Sequence, residues 1–255
     1  MAWQNTLDAL APLRFAGDWD NVGLILEGTR EVRRALVCID LTEPVLAEAL
    51  AAKVDLILSY HPPLFRGVKR LTGGSAPGRV LLGALRAGVH VYAPHTALDA
   101  SPLGMGDWLA VAAGRGSFQP IEPNADEPAA GLGRLTTLEA PVDLATAVER
   151  IKAHLGIPAL RLAAPAVERP ISTVACCPGA GGSVFEKVGP VDLLLTGEMR
   201  HHDVLWRAAE GTAVVLTDHT HCERGYLPTY AARVAAALGI EVVVSQVDAD
   251  PLRVV

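Results

Sequence analysis

Short apolar runs and amphipathic segments alternate along most of the chain. The runs at 34–40 and 54–61 are almost continuously hydrophobic, which is typical of strands buried on both faces of a sheet. Helical periodicity follows each of them, at 42–53 and 76–88, and the next strand-like run is 89–95. This alternation predicts an α/β fold with mostly parallel strands.

The same alternation continues in the second half of the chain. Strands are predicted at 133–140, 172–179, 191–199, 212–219 and 240–247, and helices at 104–114, 143–156, 183–189, 201–211 and 225–239. A polar, proline-rich and acidic stretch at 119–131 interrupts the pattern and has the composition of a linker. We therefore predict two α/β domains. Residues 1–122 plus 208–255 form a discontinuous first domain, and residues 123–207 form the second.

Composition narrows the class of protein. Half of the 255 residues are hydrophobic and 20% are charged, which is ordinary for a globular protein, and a net charge of −6 argues against a general nucleic-acid-binding surface. The four cysteines form no C-x-x-C pair and are predicted to be buried free thiols in a reducing compartment. No secretory signal or membrane span is evident, so we expect a cytoplasmic protein without a membrane partner.

Polar side chains concentrate where predicted strands end. In open α/β sheets, ligands bind beyond the carboxyl ends of the strands. Of the eight histidines, six lie just past such an end, namely His61, His95, His201, His202, His219 and His221. One histidine at a strand end is more often a hydrogen-bonded turn residue. The same bias at four separate strand ends favours metal binding.

The stretch TDHTHCERG, at 217–225, carries the densest cluster. His219 and Glu223 stand one helical turn apart and point the same way, whereas His221 projects to another side. Asp99 follows His95 by four residues. Imidazole and carboxylate ligands suit zinc, manganese, iron or cobalt, and several carboxylates also suit a two-metal centre. The alternatives are that Asp99 caps a helix and that Glu223 favours a helix dipole.

Further candidates surround these residues. Glu198, His202 and His95 are candidates for orienting ligands or transferring protons. A substrate phosphate could be bound by basic residues that follow the metal motifs, namely Arg66, Lys69, Arg70 and Arg224, although a solvated basic edge is an equal alternative for Lys69 and Arg70. The glycine-rich stretch 178–183 is either a backbone nest for an anion or a tight turn.

Taken together, these motifs are recognisable. GDWDNVGLILEG, ILSYHPPLFRGVKRL, APHTALDA, LLTGEMRHHDVL and DHTHCERGYL resemble, in this order, the blocks of the NIF3-like family, over about residues 18 to 228. SYHPPLF and ERGYL are closer to the eukaryotic-type branch. The resemblance implies two α/β domains without the optional inserted middle domain, a toroidal homohexamer, and a dinuclear metal centre. It also carries the name "GTP cyclohydrolase 1 type 2 homolog".

The resemblance implies a ligand set and, with it, a function. The implied ligands are His61, Asp99, His219 and Glu223, all in the predicted first domain, with Asp99 bridging two divalent ions. Many members have a histidine where this chain has Tyr60, so Tyr60 or His95 is an alternative ligand of the second ion. A metal-bound water would make the protein a hydrolase of a small molecule such as a nucleotide or another phosphorylated or heterocyclic compound. The alternative is a metal-binding, metal-delivery or regulatory interaction protein without turnover.

Overall fold

The computed structural model describes residues 2–252. The helices are, in chain order, α1 (Ala2–Leu10), α2 (Glu43–Ala51), α3 (Ala76–Arg86), α4 (His95–Ala100), α5 (Met105–Ala110), α6 (Leu144–Leu155), α7 (Gly182–Phe185), α8 (His201–Ala209), α9 (His221–Arg224) and α10 (Leu227–Leu238), with a 3-10 turn at Leu13–Phe15. The strands are β1 (Gly23–Leu26), β2 (Arg34–Cys38), β3 (Leu56–Ser59), β4 (His90–Ala93), β5 (Gly116–Pro123), β6 (Gly131–Val142), β7 (Arg161–Ala163), β8 (Ile171–Cys177), β9 (Leu193–Thr196), β10 (Ala213–Leu216) and β11 (Glu241–Val244).

These elements form two compact units. The first contains the residues up to 98 and from 227 onwards, and the second contains residues 99–226. The first unit and the predicted first domain, 1–122 plus 208–255, are both discontinuous but cover different residues. Residues 99–122 and 208–226 belong to the second unit, and residues 1 and 253–255 lie outside the described part of the chain.

The first unit is built on a five-stranded sheet with the order β1-β4-β3-β2-β11. Strands β4, β3, β2 and β11 are parallel neighbours, and β1 pairs antiparallel with β4 at the edge. Its core is aliphatic and includes Leu36, Val45, Ile57, Val80 and Val91. Because β2, β3 and β4 run in the same direction, the residues that follow them all lie at the carboxyl ends of the parallel strands.

The second unit is built on a six-stranded mixed sheet with the order β5-β6-β8-β9-β10-β7. Its centre, β8-β9-β10, is parallel, whereas β5, β6 and β7 pair antiparallel with their neighbours. Leu193 and Leu195 of β9 pack into one apolar cluster and Leu194 into another, so both faces of the sheet are covered. The α/β class is confirmed, but the strands are less uniformly parallel than the sequence suggests.

The predicted linker at 119–131 is wrong. Residues 116–123 form strand β5, which pairs antiparallel with β6, for example Gln119 with Leu135. Pro120 and Pro123 are tolerated because β5 is an edge strand, where a missing N–H breaks no ladder on the outer side. The acidic and proline-rich stretch is therefore a hairpin of the second unit.

Two expectations from composition can be compared with the structure. All four cysteines are buried free thiols, as predicted. Among the helices of residues 2–252, none is long and apolar enough to cross a membrane.

Candidate functional site

His61 follows the carboxyl end of β3, a central strand of the first sheet. A carboxylate holds its ring. Its Nδ1 lies 2.9 Å from Oδ1 of Asp40, which follows the neighbouring parallel strand β2. In a neutral imidazole bonded in this way, Nδ1–H donates to the carboxylate and Nε2 carries the lone pair. This is the arrangement in which metal-binding histidines usually occur, because the carboxylate fixes both the tautomer and the orientation of the ring.

His95, which follows β4, is held in a similar way. Its Nδ1 lies 2.8 Å from both carboxylate oxygens of Asp20, whose side chain is buried and also accepts a hydrogen bond from Thr96 Oγ1. Burial opposes ionisation of Asp20, but the hydrogen bonds from His95 and Thr96 outweigh it and hold the pKa of Asp20 below its ordinary value. His95 also has a φ of 32°, and such strained backbone is concentrated at functional sites.

Tyr60 completes this group of rings in the first unit. Its ring centroid lies 4.9 Å from that of His61 and 5.4 Å from that of His95, and the two imidazoles are themselves 5.4 Å apart. Only 2% of Tyr60 is exposed. The Tyr60 ring is therefore buried beside both imidazoles.

In the second unit, His219 and Glu223 are brought together at α9. His219 Nδ1 lies 3.3 Å from Glu198 Oε2, and His219 Nε2 lies 3.8 Å from Glu223 Oε1. The second distance is too long for a hydrogen bond, but it suits two ligands of one ion, because two bonds of about 2.0–2.2 Å can span it. Glu198 follows β9 and His219 follows β10, which are adjacent parallel strands. Glu198 therefore lies beside the ring of His219.

Asp99 lies in the second unit, and its charge acts on the same thiol, Cys222, as that of Glu223. It is 7% exposed, and it lies near the end of α4. Burial raises the pKa of the Cys222 thiol, and the negative charges of Glu223 and Asp99 raise it further. Burial and then Asp99 likewise raise the pKa of Cys177. Both carboxylates therefore act on the Cys222 thiol.

Gly179 makes room for the facing side chains of His219 and Glu223. It has a φ of +60°, and a Cβ at this position would lie 2.9 Å from Glu223 Oε1 and 3.0 Å from His219 Nε2. Its carbonyl oxygen also accepts hydrogen bonds from the Glu198 N–H and from Thr196 Oγ1. The glycine-rich stretch 178–183 therefore connects β8 to the start of α7, and its Gly179 lies beside these side chains and bonds the Glu198 N–H.

Replacing Gly179 with alanine is expected to weaken metal binding by about 10- to 100-fold, the range seen when a residue that supports metal ligands is changed. The new methyl group would push His219 Nε2 and Glu223 Oε1 out of position. Titration of the metal-free variant with Zn²⁺ measures the effect. Gly182→Ala is the control, because nothing lies within 4 Å of a Cβ there. Equal affinity in the two variants would contradict the proposed role of Gly179.

The other histidines near strand ends have different surroundings. His202 lies at the exposed start of α8, and among residues 2–252 its ring contact is with His201, 5.4 Å away, rather than with His219. His221 Nδ1 bonds the carbonyl oxygen of Thr217 at 2.8 Å, so this ring has a local structural role. The structure thus associates Glu198, and not His202, with the candidate ligands of the second unit.

The four candidate phosphate-binding residues differ in their exposure and in their hydrogen bonds. Arg224 is half-buried, and its Nε donates to Thr220 Oγ1 at 3.0 Å. Arg66, Lys69 and Arg70 are exposed on the loop after β3, and within residues 2–252 none of the three makes a hydrogen bond or an ion pair. These three cations are therefore available to a ligand of the first unit.

Sequence reasoning did not identify Asp40 as a partner of His61. A signal was present, since Asp40 comes directly after a predicted buried strand, as His61 does after the next one. The bond between Asp20 and His95 joins residues 75 positions apart. No local pattern reveals such a pairing.

Comparison with known proteins shows the family of this chain. The sequence model of the family described as Duf34/NIF3 (NGG1p interacting factor 3) matches residues 2–251. The chain is 39% identical to Protein NIF3 homolog of Schizosaccharomyces pombe, with 94% of this chain and 92% of that protein covered. It is 35% identical to NIF3-like protein 1 of Rattus norvegicus, covering 98% and 91%. That alignment spans 344 positions, more than the 255 residues here, so the rat protein has insertions relative to this chain.

Solved structures show the same fold. A Bacillus cereus protein related to NIF3 superimposes with a TM-score of 0.90 at 17% identity, covering 100% of this chain and 98% of that one. A Thermus thermophilus protein gives 0.81 at 25% identity, with 99% and 98% covered. The family match extends over nearly the whole chain and the two curated relatives exceed 30% identity. The chain therefore belongs to the Duf34/NIF3 family.

Proposed function

We propose that this protein binds divalent metal ions through His61, Asp99, His219 and Glu223 and uses them to hydrolyse a small molecule. The imidazole nitrogens of His61 and His219 and a carboxylate oxygen of Glu223 are donors of the kinds that metal ions take in proteins. Such a mixed set suits zinc, manganese, iron or cobalt. From the resemblance we further propose two ions per chain, with Asp99 bridging them and Tyr60 or His95 as an additional ligand.

One observation carries the metal proposal. His61, His95 and His219 each have a carboxylate oxygen at Nδ1, from Asp40 at 2.9 Å, Asp20 at 2.8 Å and Glu198 at 3.3 Å. A carboxylate behind an imidazole makes Nε2 more basic and fixes its direction. A carboxylate at Nδ1 of all three histidines supports metal binding over three unrelated turn histidines.

A bound divalent ion would supply a water molecule of lowered pKa, which is a nucleophile near neutral pH. The residues of this chain would orient the ligands and the substrate. Glu198 holds Nδ1 of His219 and, since 52% of its side chain is exposed, it can also exchange a proton with solvent. We propose His95 for a similar role in the first unit, where Asp20 holds it. His202, at the exposed start of α8, is the weaker candidate.

For the substrate, we propose a compound that carries a phosphate. Arg66 and Lys69, with Arg70 beside them, are exposed cations on one loop of the first unit. Arg224 is a further candidate, although its Nε is already bonded to Thr220. A phosphorylated or heterocyclic small molecule, including a nucleotide, fits this charge pattern.

Elemental analysis of mildly purified protein, followed by a turnover screen, tests the proposal. We expect close to two ions per chain and hydrolysis of at least one compound in a panel of nucleotides and phosphoesters. Glu223→Gln should abolish that turnover. Glu186→Gln should leave it unchanged, because Glu186 is an exposed glutamate after α7. Folded protein that binds no metal, or turnover that survives in Glu223→Gln, would contradict the proposal.

The second candidate function is metal-dependent interaction without catalysis. A relative from Saccharomyces cerevisiae, 34% identical over 95% of this chain, is named NGG1-interacting factor 3. A protein that binds metal but turns over nothing in a broad panel would favour this alternative. We propose a homohexamer for either function, and sedimentation of the purified protein tests that expectation.

A further inference from the structure

Two exposed aromatic rings flank His95 in the first unit. Trp19 is 62% exposed and Phe65 is 44% exposed, values that are high for side chains of this size. Their ring centroids are 6.0 Å apart, and they lie 6.3 Å and 6.2 Å from that of His95. Neither the metal ligands nor the proposed proton transfer accounts for these two rings. We call the pair Trp19 and Phe65 the aromatic platform.

The backbone on both sides of Trp19 is anchored, although its ring is exposed. The Gly17 N–H donates to Thr96 Oγ1 at 3.0 Å, and Asp20 bonds both His95 and Thr96. Asn21 Nδ2 donates to the carbonyl oxygen of Leu64, which ties this segment to the residue before Phe65. The two rings are therefore held near each other before any ligand arrives, which reduces the entropy lost on binding.

The Trp19 ring lies close to the backbone of Gly17. A Cβ at Gly17 would lie 2.8 Å from Nε1 of Trp19, so the indole folds closely over this residue. The outer face of the indole remains accessible. An exposed, oriented aromatic face next to a polar group is suited to stacking against a flat ring.

Positive charge lies next to the aromatic platform, on the loop that carries Phe65. Residues 61–75 contain Arg66, Lys69 and Arg70 and no aspartate or glutamate, in a chain whose net charge is −6. Because these three cations are unpaired within residues 2–252, they complement an anionic ligand. A flat ring on the aromatic platform and a phosphate on this loop together describe a nucleotide-like molecule.

We propose that Trp19 and Phe65 form the ring-binding subsite for a phosphorylated planar heterocycle, with the loop cations binding its phosphate. This inference rests on the proposed function, since it specifies the class of substrate. A small ligand is favoured over a nucleic-acid strand because a strand needs a series of stacking faces along a basic groove. Here there are two rings on a chain of negative net charge.

Binding of adenosine and guanosine 5′-monophosphates, measured by calorimetry and by tryptophan fluorescence, tests the subsite. Ribose 5-phosphate is the probe that lacks the ring. Trp19→Ala and Phe65→Ala should each weaken nucleotide binding at least about fivefold, the lower end of the effect of one base–aromatic stack, and leave ribose 5-phosphate binding unchanged. Trp19→Phe should restore most of the affinity. Trp206→Ala is the matched control, because Trp206 is 63% exposed on α8 of the second unit.

Three outcomes would overturn this inference. They are no binding of either nucleotide at millimolar concentration, equal losses in Trp206→Ala, and equal losses for ribose 5-phosphate. Affinity that rises steeply with the length of an oligothymidylate would show a strand-binding surface instead. The same titrations on chelator-treated protein separate this inference from the metal proposal. Stacking should persist without metal, and Trp19→Ala should keep the metal content of the unmodified protein.

Discussion

His219→Ala is expected to lose its metal. The substitution removes the imidazole whose Nδ1 is held by Glu198 and whose Nε2 faces Glu223. Losing a residue that only supports a ligand costs about 10- to 100-fold in affinity, so loss of the ligand itself should cost more. We expect elemental analysis to find less than half of the metal content of the unmodified protein. Titration with Zn²⁺ should show an affinity lowered by more than about 100-fold.

The metal-free forms should be almost equally stable, because His219 is 37% exposed and its removal leaves no cavity in the core. A metal that binds only the folded state adds stability in proportion to the logarithm of its concentration over the dissociation constant. Zn²⁺ should therefore raise the unfolding temperature of the unmodified protein and have little effect on His219→Ala.

His221→Ala is the matched control, two residues away on the same turn. Its imidazole bonds the carbonyl oxygen of Thr217, so its loss should leave metal content unchanged. If His219→Ala keeps full metal while folding normally, the ligand assignment is wrong. If both variants lose metal equally, the effect comes from the turn and not from the ligand.

Much of the architecture was predictable because buried parallel strands have a strong local pattern. The runs around β2, β3 and β4 are apolar at nearly every position, and each is followed by a polar residue at the edge of the sheet. The same reasoning placed Glu198 and His219 at the ends of β9 and β10. The spacing of hydrophobic residues and the polar residues at strand ends are local properties of the chain. A single sequence is therefore enough to recognise them.

The hairpin of β5 and β6 could not be predicted in this way. Its first strand contains Pro120 and Pro123 and acidic residues, all of which are ordinary in linkers. They are acceptable here because β5 lies at the edge of its sheet, and edge position is a property of the assembled fold. The predicted domain boundary at 122 lies inside β5, a strand of the second unit.

The partners of the candidate ligands depend on tertiary structure to different degrees. The pair Asp40 and His61 could have been found, since adjacent strand ends bring the two together. The bond of Asp20 to His95 joins a loop before β1 to the start of α4, and the identity of the loop residues gives no indication of it. Only the first of these two partners therefore follows from the order of the strands.

The burial of Arg134 could not be predicted from the sequence either. It lies within a predicted strand, yet its side chain is fully buried in the second unit. Its guanidinium donates to Asp107 Oδ1 at 2.6 Å, to the carbonyl oxygens of Gly131 and Gly133, and to that of Ala100 at 3.3 Å. One side chain thus joins β6 to α5 and to the residue after Asp99.

Asp107→Asn is expected to destabilise the protein by about 3–5 kcal/mol, because it leaves a buried guanidinium without its counter-charge. Chemical denaturation, followed by circular dichroism, measures the loss. Glu149→Gln is the control. It removes an acid that pairs with Lys152 on the surface, where such a pair contributes at most about 1 kcal/mol. If the free energy of unfolding falls by a similar amount in the two variants, burial of the Arg134–Asp107 pair does not make it more important than the surface pair.

The double variant Arg134→Met with Asp107→Leu separates charge from packing. Replacing both members of a buried pair with apolar residues of similar size is often neutral or stabilising, so the double variant should be more stable than Asp107→Asn. If it is less stable, the carbonyl contacts of Arg134 matter more than its charge. The Ala100 contact then gives a second readout. Loosening the backbone beside Asp99 should weaken Zn²⁺ binding in the double variant even where its stability is restored.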